Sequence, residues 1–255
     1  MHAWLLAFAV FLSGCGEVWN NPYPAQETGR NILYSAFTER PKHLDPVQSY
    51  SEDEAEFNAQ IYEPPLQYHY LKRPYTLIPL TAEALPRPRS VDAAGREVPA
   101  DSPRVAYTLY EIRIRPGILY QPHPAFARDP DGKLLYHNLK PDDLKGIYSL
   151  RDFPQTGTRE LTAEDYAYQI KRLAHPRLHS PIFGLMNDYV LGLGDFAKRL
   201  KAEKDQPWID LREHNLEGAE VIDRYRYRIR IKGKYPQFLY WLAMPFFAPM
   251  PWEAD

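Results

Sequence analysis

The chain has 255 residues, 44% of them hydrophobic and 25% charged, with a formal net charge of −2. That is the composition of a globular protein, long enough for one large or two ordinary domains, and its charge balance gives no footing for nucleic-acid binding. The one cysteine, Cys15, excludes a disulfide within these residues, while 25 prolines and 19 tyrosines predict many short elements and half-wet surfaces.

Residues 3–12 are a short apolar run, too short for a spanning helix but suited to a signal-peptide core. The run ends in Leu12-Ser13-Gly14-Cys15, which resembles a bacterial lipobox: small residues before the cut and a thiol to carry diacylglycerol. Gly16 rather than Asp follows, so by resemblance to Gram-negative lipoproteins the usual inner-membrane retention signal is lacking. Residues 16–30 carry Pro22 and Pro24 and read as a tether.

Residues 31–37 read as a first strand apolar on both faces, through Ile32, Leu33, Tyr34 and Phe37, which predicts a buried position in a sheet. Ser51-Glu52-Asp53-Glu54 is a capping box opening a helix that carries Phe57 and Ile61 and ends before Pro64. Residues 107–114 alternate, with Tyr110, Ile112 and Ile114 on one face, and Pro116-Gly117 turns the chain. Residues 121–160 form a long connection with its clearest turn at Asp129-Pro130-Asp131-Gly132.

The best-signed helix start is at 161–173. Thr162 is placed as N-cap, Asp165 completes a capping box, and Leu161 with Tyr166 can form a hydrophobic staple. Tyr166, Ile170 and Leu173 recur at helical spacing and Pro176 sets the stop. Ser180-Pro181 reads as a further helix start, interrupted at Gly192 and Gly194 and resumed as a basic helix through Lys204. A second alternating strand follows, Tyr225, Tyr227, Ile229 and Ile231 opposing Arg224, Arg226, Arg228, Arg230 and Lys232, which is the pattern of a sheet with one solvated face. No catalytic constellation and no metal-ligand spacing stands out: His175 and His179 are split by Pro176, and His123 and His137 are scattered.

Taken in order, several short motifs converge on one family. The stretch Thr162-Ala163-Glu164-Asp165-Tyr166, with Arg172 six residues on, resembles the T-A-E-D signature of the family 5 extracellular solute-binding proteins, the peptide-binding proteins of ABC importers. Leu44-Asp45-Pro46 resembles the family's early L-D-P, and Ile61-Tyr62-Glu63-Pro64-Pro65-Leu66 its E-G-L-L segment, with Pro64 in place of glycine. Pro79-Leu80-Thr81-Ala82-Glu83 resembles P-x-L-A-E, and residues 110–117 its aromatic-x-hydrophobic-x-L-R-x-G strand and turn. Val221-Ile222-Asp223, the strand after it and Pro236-Gln237-Phe238-Leu239 complete the series.

The resemblance implies an α/β fold of the periplasmic-binding-protein type (type II, cluster C), here a lobe fragment with an inserted mixed α/β domain. On that basis residues 1–15 are a lipoprotein signal peptide with lipobox and 16–30 a tether. Residues 31–62 open lobe I, 63–251 are the inserted smaller domain, and 252–255 begin a truncated return to lobe I. The resemblance covers only the first part of a longer family chain, so these residues alone are expected to grip peptide weakly, with 31–62 loosely packed. The implied function is capture of short peptides in the periplasm, outside the cytoplasmic membrane. Its partners would be ABC permease subunits and, through the lipid anchor, the membrane, with no cofactor and no catalysis. Carried over by the L-D-P and E-x-x-L anchors, the loop Gln48, Ser49, Tyr50, Ser51 and Glu52 falls where the first lobe meets its ligand. Alternatives are another solute on the same fold (a nickel complex, haem, an opine) or a structural envelope lipoprotein. Mass spectrometry of the protein from its host is expected to find a diacylglyceryl-modified N-terminal Cys15; an intact Met1 terminus would exclude it.

Overall fold

A computed structural model describes Tyr23 and residues 25–27, 29–137 and 139–255, so the lipobox and Cys15 lie outside the described residues. The chain divides at Thr38/Glu39 into two compact units. In the first, a single 3-10 turn spans Ala25–Glu27 and Tyr23 stacks on Tyr34 with centroids 3.5 Å apart. Residues 31–37 form no strand, contrary to the alternation read from their sequence, and Leu33 is 94% exposed. A strand needs a ladder partner for its N–H and C=O groups, and among the described residues none pairs with this segment.

The second unit is built on a four-stranded antiparallel sheet. Its strands are β3 (Arg89–Val91), β4 (Tyr107–Arg113), β5 (Ala219–Asp223) and β6 (Arg226–Lys232), in the order β3-β4-β6-β5. The two alternating sequences are the central pair, in register Tyr110↔Ile229 and Ile112↔Tyr227. Period-two patterning therefore puts Tyr110, Ile112, Tyr227, Ile229 and Ile231 on one face, each buried. The opposite face is not a free basic surface. Arg226 and Arg228 reach Glu111 across the strands at 3.5 and 3.4 Å, Arg228 also meets Glu220 at 3.1 Å, and Arg230 meets Glu217 at 3.0 Å. Such part-exposed pairs are each worth under about 1 kcal/mol, but they cancel the charge.

Against the apolar face lies a helix, Ala163–Arg172. Asp165 accepts the Thr162 N–H at 2.9 Å, the reciprocal half of the capping box. Tyr166 is buried flat against Tyr227, with centroids 5.1 Å and planes 7° apart. Its hydroxyl meets Thr81 Oγ1 at 2.6 Å, and Thr81 in turn donates to the Pro64 carbonyl at 3.1 Å. The segments that carried the sequence motifs thus converge here. Ala82 pairs with Ile114, and Arg113 holds Glu83 at 2.9 Å.

Before this helix come a first helix, α1 (Glu52–Ile61), and a small hairpin, β1 (Leu66–Tyr68) with β2 (Leu77–Pro79). Ala163–Arg172 is then α2, followed by α3 (Phe183–Tyr189), α4 (Leu193–Ala202) and α5 (Phe238–Trp241). The Ser51/Glu54 capping box forms in both directions, at 3.3 and 3.2 Å. The face of α1 differs from expectation: Glu54 and Asn58 are buried and Ile61 is exposed. α3 starts two residues later than Ser180-Pro181 implies, with Ile182 at its N-cap. α4 opens on Gly192 at φ 73°, a left-handed turn that glycine takes without steric cost. Residues 121–160 hold three short 3-10 turns, and the Asp129–Gly132 turn closes with a 2.9 Å bond. Among the described residues no helix is long and apolar enough to cross a membrane.

Two arginines, Arg172 buried and Arg159 half-buried, tie distant chain segments to α2. Arg172 grips Asp45 through paired bonds of 2.9 and 2.7 Å and Asp255 through its Nε at 2.8 Å. Arg159 binds Asp165 at 2.9 and 2.6 Å and Glu253 at 2.7 Å twice. Burial alone would lower the pKa of each guanidinium, but the facing carboxylates outweigh it and raise both. Because Asp45 and the buried Val47 pack into this unit, the packing does not break at the expected 62/63 border, and 39–62 are not loose. Arg172→Met is expected to cost about 3–5 kcal/mol, since it strands two carboxylates around an apolar side chain. Urea unfolding would show it as a lowered midpoint at constant slope. Asp45→Asn should cost less, because Asp255 still faces the guanidinium.

Candidate functional site

One cleft among the described residues encloses about 590 Å³, within the usual size of ligand sites. The end of α1 and Glu63 form one side, residues 118–123 another, and Pro249, Met250 and Pro251 a third. The strip at 118–123 exists because the Pro116-Gly117 turn sends the chain back along 157–161. Leu161 N–H donates to Ile118 at 2.8 Å, Tyr120 N–H to Arg159 at 3.0 Å and His123 N–H to Gly157 at 2.9 Å. The wall is largely apolar, from Ile118, Leu119, Phe126, Leu161 and Met250, with Gln60, Glu63 and Gln121 as polar members.

Tyr120 is the notable member of this wall. Its hydroxyl is buried near the Asp165 carboxylate, with no well-formed hydrogen bond among the described residues, and Arg159 lies over its ring at 5.2 Å. Burial, then the Asp165 charge, pushes its phenol well above the usual range, so it stays neutral. His123 lines this cleft and a smaller one of about 360 Å³. Its Nδ1 accepts the Ala125 N–H at 3.1 Å and burial lowers its pKa, so the ring is a neutral acceptor and not a cation. Such a wall can bury apolar side chains and hydrogen-bond at its edge. Among the described residues no group of three or more His, Cys, Asp or Glu is placed to hold a metal.

The loop Gln48–Glu52 lines neither cleft. Four of its five main-chain donors are already used: Gln48 and Ser49 N–H donate to the Asp45 carbonyl, and Tyr50 and Ser51 N–H to the Glu54 carboxylate. Glu54 also accepts Lys42 and His43 N–H at 3.0 and 2.9 Å. What the loop presents outward is side chain, chiefly the Tyr50 ring, 74% exposed and 6.3 Å from that of Phe246. The cleft wall was missed in the sequence because 121–160 read as a connection of unknown role. The apolar Ile118-Leu119-Tyr120 directly after the turn was the available signal.

No family model matches the chain, and no curated protein does. Solved structures do match. The pheromone receptor PrgZ, described with its mode of peptide binding, aligns at 17% identity over 85% of this chain and 30% of its own, with a TM-score of 0.51. This chain shares the fold of part of that receptor. OppA of Burkholderia pseudomallei (15% identity, 84% of this chain and 29% of its own, TM-score 0.47) also matches. So does the Escherichia coli murein tripeptide binding protein MppA (17%, 84% and 30%, TM-score 0.47). The chain therefore spans less than a third of the length of these structures.

The loop carries its own test. Burial alone would raise the Glu54 pKa, but the backbone N–H groups of His43, Tyr50, Ser51 and Lys42 outweigh it and lower it to about 2. A depressed carboxylate contributes stability that is full above its unfolded pKa, about 4.3, and lost as pH falls toward 2. Thermal unfolding between pH 5 and 2 should steepen for this reason. Glu54→Gln should flatten that part of the profile.

Proposed function

We propose that this chain is the solute-capturing component of a peptide ABC importer, held outside the cytoplasmic membrane by a lipid on Cys15. Its ligands are short peptides and its partners the permease subunits. The observation that carries the reading is the fold likeness to a receptor described with its mode of peptide binding. A peptide offers alternating N–H and C=O groups, and a binder indifferent to sequence must pair these while giving side chains roomy, partly wet space. A largely apolar wall with a few polar members suits that task better than a polar one. In this reading the exposed side chains of Tyr50, Ser51 and Glu52, with half-buried Gln48, contact the ligand, while Ser49 is buried and the N–H groups of residues 48–51 are taken up locally.

The test is to isolate the protein from its host, identify co-purifying molecules by mass spectrometry, and titrate a mixed peptide pool by calorimetry. Binding with little sequence preference is expected. Tyr50→Ala should weaken it several-fold, by loss of an aromatic contact worth about 1 kcal/mol. Tight binding of a metal chelate or haem without a peptide response would overturn the reading.

A further inference from the structure

The β1–β2 hairpin ends in a turn that the core does not cover. Its base is held firmly: Leu66 is buried, its N–H donates to Leu242 at 3.0 Å, and His69 N–H donates to Thr76 at 2.7 Å. Beyond the base, Tyr70 is 88%, Leu71 75% and Tyr75 65% exposed. The tip has a built shape. His69 Nδ1 accepts the N–H groups of Leu71 and Lys72 at 3.2 and 3.3 Å, which directs the turn. Tyr68 stacks on Tyr240 and meets Tyr75 edge-on, with centroids 6.1 and 5.8 Å away, and the Arg73 guanidinium lies 4.7 Å over Tyr75.

Charge along this stretch has one sign. No Asp or Glu occurs between Glu63 and Glu83, while Lys72 and Arg73 sit at the turn. We propose that this tip docks on the interface of an anionic bilayer. Leu71 enters the boundary between headgroups and acyl chains, the tyrosine rings lie at headgroup level, and Lys72 and Arg73 meet lipid phosphates. Tyrosine rings favour that depth because one end is apolar and the other wet, and long basic side chains reach the phosphates while their stems stay in apolar surroundings. A protein partner fits less well. A stable interface buries about 800 Å² per side, which a tip of a few side chains does not offer, whereas a membrane contact needs only an apolar side chain and nearby cations.

The test places an environment-sensitive fluorophore on the tip of the full chain, through Leu71→Cys in a Cys15→Ser background. Vesicles of phosphatidylcholine, with or without phosphatidylglycerol, are then added. Emission is expected to shift to the blue on anionic vesicles, little on neutral ones, and to return in high salt. A label at Asp205→Cys, exposed beyond α4, should not move. Replacing Lys72 and Arg73 by Gln, with folding checked by circular dichroism, should weaken partition of the tip about 30-fold. The proposal is overturned by no shift on either vesicle or by an equal shift at the Asp205 label. A shift that grows with protein concentration alone would point instead to a second copy. One seen only with permease-containing vesicles would point to a protein partner.

Discussion

A buried guanidinium has to be surrounded, and much of the second unit is arranged so that Arg172 is. Its cost out of water is several kcal/mol, recovered only if carboxylates meet it in good geometry. Asp45 does so with both oxygens and Asp255 from another side, while Gln169 adds its amide oxygen at 3.2 Å. The three contributing segments are far apart in the chain. The last turn of α2 therefore fixes where residues 39–50 and the segment around 252–255 lie, which purely apolar contacts would locate less exactingly.

Arg159 repeats the arrangement at the other end of the helix, where Asp165 serves at once as capping residue and as ion-pair partner. One carboxylate thus links a local signal, the helix start, to a tertiary one, the placement of Glu253. Tyr166, the next residue, stacks on Tyr227 and bonds Thr81, so α2 is bound to the sheet and to the β2–β3 connection through a single side chain. The cleft lies directly beside this framework, and Tyr120 and Phe126 on its wall rest against the Arg159 guanidinium.

The surface divides into parts that are neutralised and parts that are not. The arginine ladder of β6 is matched by Glu111, Glu217 and Glu220, which leaves a solvated sheet face of mixed charge. At the β1–β2 tip no ion pair with an acid forms at Lys72 and Arg73 among the described residues, and tyrosines and a leucine stand in the open beside them. Two basic regions therefore differ in what they offer a partner.

Local pattern determined the central strands and α2 because their information is short-range: alternation at period two, a capping box, and apolar residues at helical spacing act within a few residues. The same signals misjudged 31–37, where the right pattern meets no partner strand among the described residues, and α1, whose buried face is Glu54 and Asn58 rather than Phe57 and Ile61. Glu54 is inward because it collects N–H groups from residues up to twelve positions earlier, which no helical period encodes. The loop 48–52 was legible as a helix entry, but where its donors point came only with the folded chain, two of them going to that same carboxylate and two to the Asp45 carbonyl. The cleft wall at 118–123 and the pairing of Asp45 with Arg172 likewise came only with the folded chain. Both depend on contacts between segments whose separation in sequence carries no periodic trace.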